Sequence, residues 1–343
     1  MDFSRFKNIS LVGLSRVDAP EVITSTAIED RLAPAMARAG FGQGLLYQLT
    51  GISERRLFER GVGAGEAAAR AGQAVLERTG IDPAEIGVMV STSVCKDYIE
   101  PSVASLAHAR LGLGSSCLNF DVGNACLGFL NGIQIVGDMI ERGLVDYGMV
   151  VDGESSREVL EATLERLNRP EMDPAKIRRQ LATLTLGSGA AAAILGRRDL
   201  HPESPRVMGA VFRAATEHND LCRGQRDWME TDAAMLLVHG LALADKTFDA
   251  ARRALRWSPD DLDHVAAHQV SAVHTARVAE RLHVDLSRFC KIYPTYGNVG
   301  PASIPIALSI LEDQGRLAPG DRIALMGIGS GLNCAMMELR WSA

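Results

Sequence analysis

The sequence predicts a layered α/β protein assembled from two similar halves. Three observations carry that expectation. Apolar runs of strand length alternate with helical stretches along the chain. The runs are nearly continuous in apolar residues, as in parallel strands covered on both faces. A segment of the second half can also be laid on one of the first without a gap.

Taken in order, MDFSRFKNISLVGL mixes charges with a short strand-like run and lacks the basic-then-apolar layout of a signal peptide. GEAAARAGQAVLERTG (65–80) has helical apolar spacing and a closing glycine. IGVMVSTSV (86–94) and CLNFDV (117–122) read as strands, GFLNGIQIVGDMIERG (128–143) as a helix and DYGMVVDGE (146–154) as a strand. Residues 155–182, rich in Arg and Glu, read as an inserted helical cap, and GAAAAILG (189–196) as the next strand. The Pro-rich HPESPRV places a boundary near 203–206, giving expected halves 1–205 and 206–343.

In the second half, PDDLDHVAAHQV (259–270) lies on PAEIGVMVSTSV (83–94) without a gap, each leading through Pro and acidic residues into a strand. SIPIALSILEDQGRL (303–317) and DRIALMGIG (321–329) then follow in the order of 128–143 and 146–154. Duplicated α/β halves place strand ends together at their junction, where clefts form. Cys126 lies just after a strand in the first half and His268 at the end of its counterpart strand in the second. Asn298 lies in the loop matching the one that holds Cys126.

Bulk properties narrow the function. A chain of 343 residues is too long for one small core. The net charge of −6, without a Lys/Arg cluster, argues against nucleic acid and anionic membranes as main partners. The six cysteines form no C-x-x-C pair, so no metal site is expected, and their scatter suits a reduced, cytoplasmic protein. The longest uncharged apolar run, near 184–196, is too short and Gly-rich to span a bilayer.

The motifs D-V-x-N-A-C at Cys126, A-x-H-Q-V at His268, G-N-V-G-P-A-S at Asn298, GIGSGLN (327–333) and TGISERR (50–56) occur in one order along the chain. Together they resemble the thiolase superfamily, and most closely its β-ketoacyl-ACP synthase III branch. Within it, TSVCKDYIEPSVAS (92–105), VVDGES (150–155) and ATEHNDLCRG (215–224) resemble the OleA-type acyl-CoA condensing enzymes of head-to-head long-chain hydrocarbon and olefin biosynthesis.

The resemblance implies a thiolase fold of duplicated αβαβα halves with mixed, mostly parallel sheets. It implies a non-decarboxylative Claisen condensation of two fatty acyl-CoA molecules to a 2-alkyl-3-keto acid or its thioester. Cys126 would carry the acyl group, and His268 and Asn298 would hold a thioester oxygen. The Cys126 amide and the loop at Ser330 would form a second oxyanion site. Glu100 would act as base on the neighbouring subunit of a homodimer. Coenzyme A thioesters are then substrates, no metal or redox cofactor is needed, and downstream olefin-pathway enzymes become candidate partners. Cys95 stands where a small hydroxyl residue is expected.

Elementary chemistry fits these roles, and each residue also has a plainer reading. A thiolate exchanges one thioester for another of similar energy, and a helix start stabilises it by about 0.3–1 kcal/mol and lowers thiol pKa. Ala125 and Gly128 leave room for an acyl chain. Cys126 is otherwise a small buried residue. On the plainer reading His268 satisfies a hydrogen bond and Asn298 forms a turn. Glu100 separates two chemistries. Abstracting an α-proton needs a base, whereas a decarboxylative synthase using malonyl-ACP needs none. Alone, Glu100 is a solvated loop acid. The helix around 235–243 is a candidate acyl channel or an amphipathic packing helix. Arg55 and Arg56 suit coenzyme A phosphates or a surface charge pair.

Overall fold

The computed structural model describes residues 4–342. Nine strands order the main sheet: β1 (Ile9–Asp18), β2 (Ile86–Ser91), β3 (Leu118–Asp121), β4 (Tyr147–Glu154), β5 (Gly189–Arg197), β6 (Arg206–Ala214), β7 (His264–Ala267), β8 (Arg322–Gly329) and β9 (Asn333–Arg340). They run β7-β8-β9-β6-β1-β5-β4-β2-β3, with the short strand Ser4–Arg5 on β6. Six helices cover them: α1 (Ala64–Thr79), α2 (Val103–Leu111), α3 (Gly128–Glu141), α4 (Ala233–Ala254), α5 (Ala272–Leu282) and α6 (Ser303–Asp313).

The topology repeats. In the first half β1 pairs antiparallel with β5, β5 antiparallel with β4, and β4 parallel with β2. In the second, β6, β9, β8 and β7 repeat that sequence of pairings. The proposed boundary at 203–206 falls in the connection from β5 to β6, and the halves join where Ser10 of β1 pairs with Arg206. The sheet is mixed, as expected, but its parallel ladders lie toward the two ends and its centre is antiparallel. Each closing strand returns beside its predecessor, most directly where β9 follows β8 through a turn of three residues.

Strand alternation divides the core into layers. On β8, Ile323 and Leu325 face the central cluster with α3 and α6, whereas Ala324 and Met326 face α4 and α5. On β4, Val150 faces the centre, whereas Met149 and Val151 face α1 and α2. Each side chain thus joins one of two helical layers per half-sheet, which gives the five layers of the αβαβα expectation.

The structure refines the pairing of halves. His268 continues β7 by donating its N–H to Met326 at 2.8 Å, as Thr92 continues β2 by donating to Val151 at 2.9 Å. His268 therefore matches Thr92 at the end of β2, not the strand before Cys126. The counterpart of that strand, β3, shrinks in the second half to one bridge, Val265 with Phe289.

The inserted segment 155–182 is helical, with Arg157–Leu167 and Pro174–Gln180. It packs through Leu160, Leu164 and Ile177 on Ile28 and Leu46, in helices absent from the sequence reading, and on Leu32 between two of them. Arg55 lies inside, fully buried, donating to Ser25 Oγ at 3.1 Å and the Leu184 carbonyl at 2.9 Å. Burial lowers its pKa to about 10. It is therefore unable to meet a coenzyme A phosphate. Arg56 is also engaged, over the Tyr296 ring at 5.5 Å and on the Ala19 carbonyl. The 235–243 segment opens α4 in an outer layer, with Met235 and Val238 exposed and Leu243 buried.

Gly153 of β4 shows how tightly α1 seats. A Cβ there would lie 2.3 Å from the Ala64 carbonyl oxygen and 2.6 Å from the Ala68 nitrogen, both backbone atoms. Gly153→Ala should cost about 1–3 kcal/mol or more, as overpacking does. Urea unfolding should show a lower midpoint at unchanged slope; an unmoved midpoint would contradict this seating.

Candidate active site

The chain between β3 and α3 bends sharply. Asn124 has φ −146° and ψ 49°, Ala125 has φ 45°, and one 3-10 turn, Ala125–Leu127, leads into α3. A non-glycine residue in the left-handed region costs on the order of 1–3 kcal/mol and needs surroundings that hold it. Here Asn333 Nδ2 donates to Asn124 Oδ1 at 3.0 Å, and Asn124 Nδ2 donates to Asn131 Oδ1 at 2.7 Å. This asparagine chain ties the Cys126 turn to both halves, and sequence reasoning did not single it out.

The end of β8 forms the opposing wall. A Cβ on Gly329 would sit 3.3 Å from the Cys126 nitrogen, and one on Gly327 would sit 2.5 Å from the Leu127 side chain. Glycine thus brings the 329–331 loop, with half-buried Ser330, against the Cys126 amide. Gly128 has a different role from the one expected. A Cβ there would lie 2.7 Å from the Thr92 carbonyl oxygen, so its smallness admits β2 rather than an acyl chain.

His268 and Asn298 meet directly, with His268 Nε2 3.2 Å from Asn298 Oδ1. An amide oxygen only accepts, so Nε2 carries the proton. The same oxygen accepts the Gly300 N–H at 3.1 Å, which turns the Asn298 amide nitrogen outward as a donor. Burial lowers the His268 pKa to about 4, partly opposed by the Asn298 hydrogen bond and the Ile328 backbone. Met326 of β8 holds the His268 N–H, and Gly329 at the end of the same strand approaches the Cys126 amide, where a Cβ would lie 3.3 Å from its nitrogen. The turn Gly300–Ala302 packs on the turn that holds Cys126. The structure therefore brings Cys126, His268, Asn298 and Ser330 to one seam.

The thiol departs from expectation. Position before a helix was expected to lower its pKa, but burial pushes it up, with Cys222, Glu154 and Asp152 nearby adding to the rise. Its own backbone N–H opposes this only in part, because desolvation outweighs one oriented dipole. Desolvation thus favours the thiol form.

A second acidic group lies beneath the seam. Asp152 Oδ2 accepts the Thr92 hydroxyl at 2.5 Å. Glu154 accepts the N–H groups of Val94 at 2.6 Å and Cys95 at 3.2 Å. Burial raises Glu154 to about 7, opposed by those donors, and it raises Asp152 as well. Two acids ending an apolar strand, in YGMVVDGE, were the sequence signal for this pair. Cys95 is explained here as a half-buried neighbour of Glu154.

Glu100 is not in this cluster within one chain. It stands exposed on the loop after β2, beside Tyr98 and an Ile99 that is 99% exposed.

Known proteins resemble this chain over nearly its full length. Residues 120–215 match the 3-oxoacyl-[acyl-carrier-protein] synthase III family, and residues 253–341 match its C-terminal family. The chain is 47% identical over 336 residues to an acyl-CoA:acyl-CoA alkyltransferase of Xanthomonas campestris, covering 98% of this chain and 99% of that one. A Shewanella oneidensis protein of the same name is 36% identical, covering 98% and 100%. Solved structures of Xanthomonas campestris OleA, including one with cerulenin bound, superpose with TM-score 0.97 at 47% identity and 98% coverage of both chains. Others carry substitutions at a cysteine, a glutamate or a histidine.

The neutral imidazole is directly testable. In NMR of histidine-labelled protein, the signal that disappears in His268→Ala should remain that of a neutral ring at pH 6 and protonate near pH 4. A midpoint near the ordinary value of about 6.5 would contradict the buried, Asn298-bonded ring.

Proposed function

We propose that this chain, which belongs to the acyl-CoA:acyl-CoA alkyltransferases of the 3-oxoacyl-ACP synthase III family, joins two fatty acyl-CoA molecules by non-decarboxylative Claisen condensation. One observation carries the reading. The intervals between the substituted glutamate, cysteine and histidine of the solved Xanthomonas variants recur unchanged here as Glu100, Cys126 and His268.

The steps follow from the seam. Cys126 sulfur attacks the first thioester carbonyl, its carbon–sulfur bond to coenzyme A breaks, and the thiol proton leaves with free coenzyme A. Burial that disfavours the thiolate also shields the acyl-enzyme from water. The second acyl-CoA then loses an α-proton to Glu100. The enolate oxygen takes hydrogen bonds from the Asn298 amide N–H and from His268 Nε2–H, which shares its hydrogen between that oxygen and Asn298 Oδ1; both donors are neutral. Such donors are each worth about 3–4 kcal/mol in the transition state. The α-carbon attacks the acyl-Cys126 carbonyl, whose oxygen faces the amides of Cys126 and Ser330. Collapse releases the sulfur, which regains the proton held by Glu100, and leaves a 2-alkyl-3-ketoacyl thioester for the next enzymes of head-to-head hydrocarbon synthesis.

Glu100 acts from the partner of a homodimer in this reading. The support is its exposure and that of Val94, Tyr98 and Ile99 on the same loop, an apolar surface that a second copy would cover. Among the described residues no helix is long and apolar enough to cross a membrane.

The decisive assay supplies one saturated long-chain acyl-CoA, no malonyl donor, and mass spectrometric detection. The expected product is the condensed β-keto species. Glu100→Ala should accumulate acyl-Cys126 while condensation falls roughly 100- to 10,000-fold. Cys126→Ala should abolish acylation. Acylation without carbon–carbon bond formation in the intact enzyme would favour the decarboxylative synthase instead.

A further inference from the structure

The loop that carries Glu100 is rooted in the buried acid pair, which the condensation steps leave unused. Asp152 and Glu154 lie two apart on β4 and so share its central face. Asp152 is fully buried and Glu154 is 4% exposed. Between them they hold Thr92, Val94 and Cys95, the segment where β2 ends and the loop begins. Farther out the loop is tied nearer the surface. Lys96 pairs with Asp121 at 2.9 Å, Asp97 accepts the Gly65 N–H at 2.7 Å, and Arg226 donates to the Asp97 carbonyl at 2.9 Å. Beyond Asp97 the tip with Tyr98, Ile99 and Glu100 is exposed.

Burying two adjacent carboxyls is costly, and their raised pKa values record that cost. What they obtain is a rigid root with one carboxyl bonding two successive amides. A chain that must place a base on another subunit needs its loop aimed from such a root, because small misplacements of a catalytic group reduce rate steeply.

We propose that Glu154 is a positioning residue acting in trans: its hold on Val94 and Cys95 aims Glu100 at the partner's Cys126. The proposal rests on the reading of Glu100 as a base donated across a homodimer. Glu154 also lies near Cys126 and Gly300 of its own chain, so a role in cis is the rival the experiment must separate.

Mixed dimers separate them. Two differently tagged full-length chains are co-expressed, one carrying Cys126→Ala, and hybrids are isolated by both tags. The single competent cysteine then draws its base from the Cys126→Ala chain. With Glu154→Gln added to the Cys126→Ala chain, condensation should fall roughly tenfold, the scale of a lost buried hydrogen bond. Acylation of the intact Cys126, read by mass spectrometry, should match the control hybrid. With Glu154→Gln on the chain bearing the intact cysteine, condensation should match the control. Loss confined to that second arrangement, or equal in both, overturns the proposal. Glu154→Asp, which keeps the carboxylate on a shorter arm, repeats the comparison if the Gln chain fails to assemble. Glu100→Ala on the Cys126→Ala chain must lower condensation by roughly 100-fold or more. If it does not, the trans-base reading itself fails; if it does while Glu154 shows no asymmetry, only the positioning role fails.

Discussion

The close approach of the β8 end to the Cys126 turn is the constraint on which the site depends. Gly327 and Gly329 let a strand of the second half lie against Leu127 and the Cys126 amide of the first. A Cβ at Gly329 would push the Cys126 turn back by a few tenths of an ångström, and one at Gly327 would displace the end of the Leu127 side chain. The same strand end accepts the His268 N–H at Met326, so it places the backbone of that residue and the turn at Cys126 together. The left-handed Ala125 is tolerated there because Asn124 is clamped from both halves, by Asn131 and by Asn333.

Burial then sets the charge state of everything around the seam. It raises Cys126, Asp152 and Glu154 and lowers His268, so each of the four is driven toward its neutral form. A neutral site suits enolate chemistry. In the proposed condensation His268 and Asn298 would offer hydrogens to an oxygen that becomes negative only during reaction, without a permanent cation that would bind the ground state as strongly. The hydrophobic layers that stabilise the fold are therefore also what tune the reacting groups.

Much of this was legible in the chain. Uninterrupted apolar runs such as IGVMVS and YGMVVDGE found β2 and β4, and the ungapped match of 83–94 to 259–270 found the duplication. Duplication in turn predicted that Cys126, His268 and Asn298 meet, because repeated halves must abut at equivalent strand ends. Local pattern failed where the outcome depended on what covers a residue. Arg55 reads as a surface cation and is sealed under the cap. Gly128 reads as room for substrate and instead admits a carbonyl oxygen. The helix start at Cys126 reads as a thiolate site, and desolvation overrides it.

The sequence by itself determined the layered α/β class, the two-fold repeat and the identity of the chemically capable residues, since these depend on periodicity and order along the chain. Only the tertiary structure decided the antiparallel centre of the sheet, the direction of each pKa shift and the anchoring of the Glu100 loop by Glu154. Those depend on distances between segments remote in sequence, and on how completely water is excluded when the two halves close on each other.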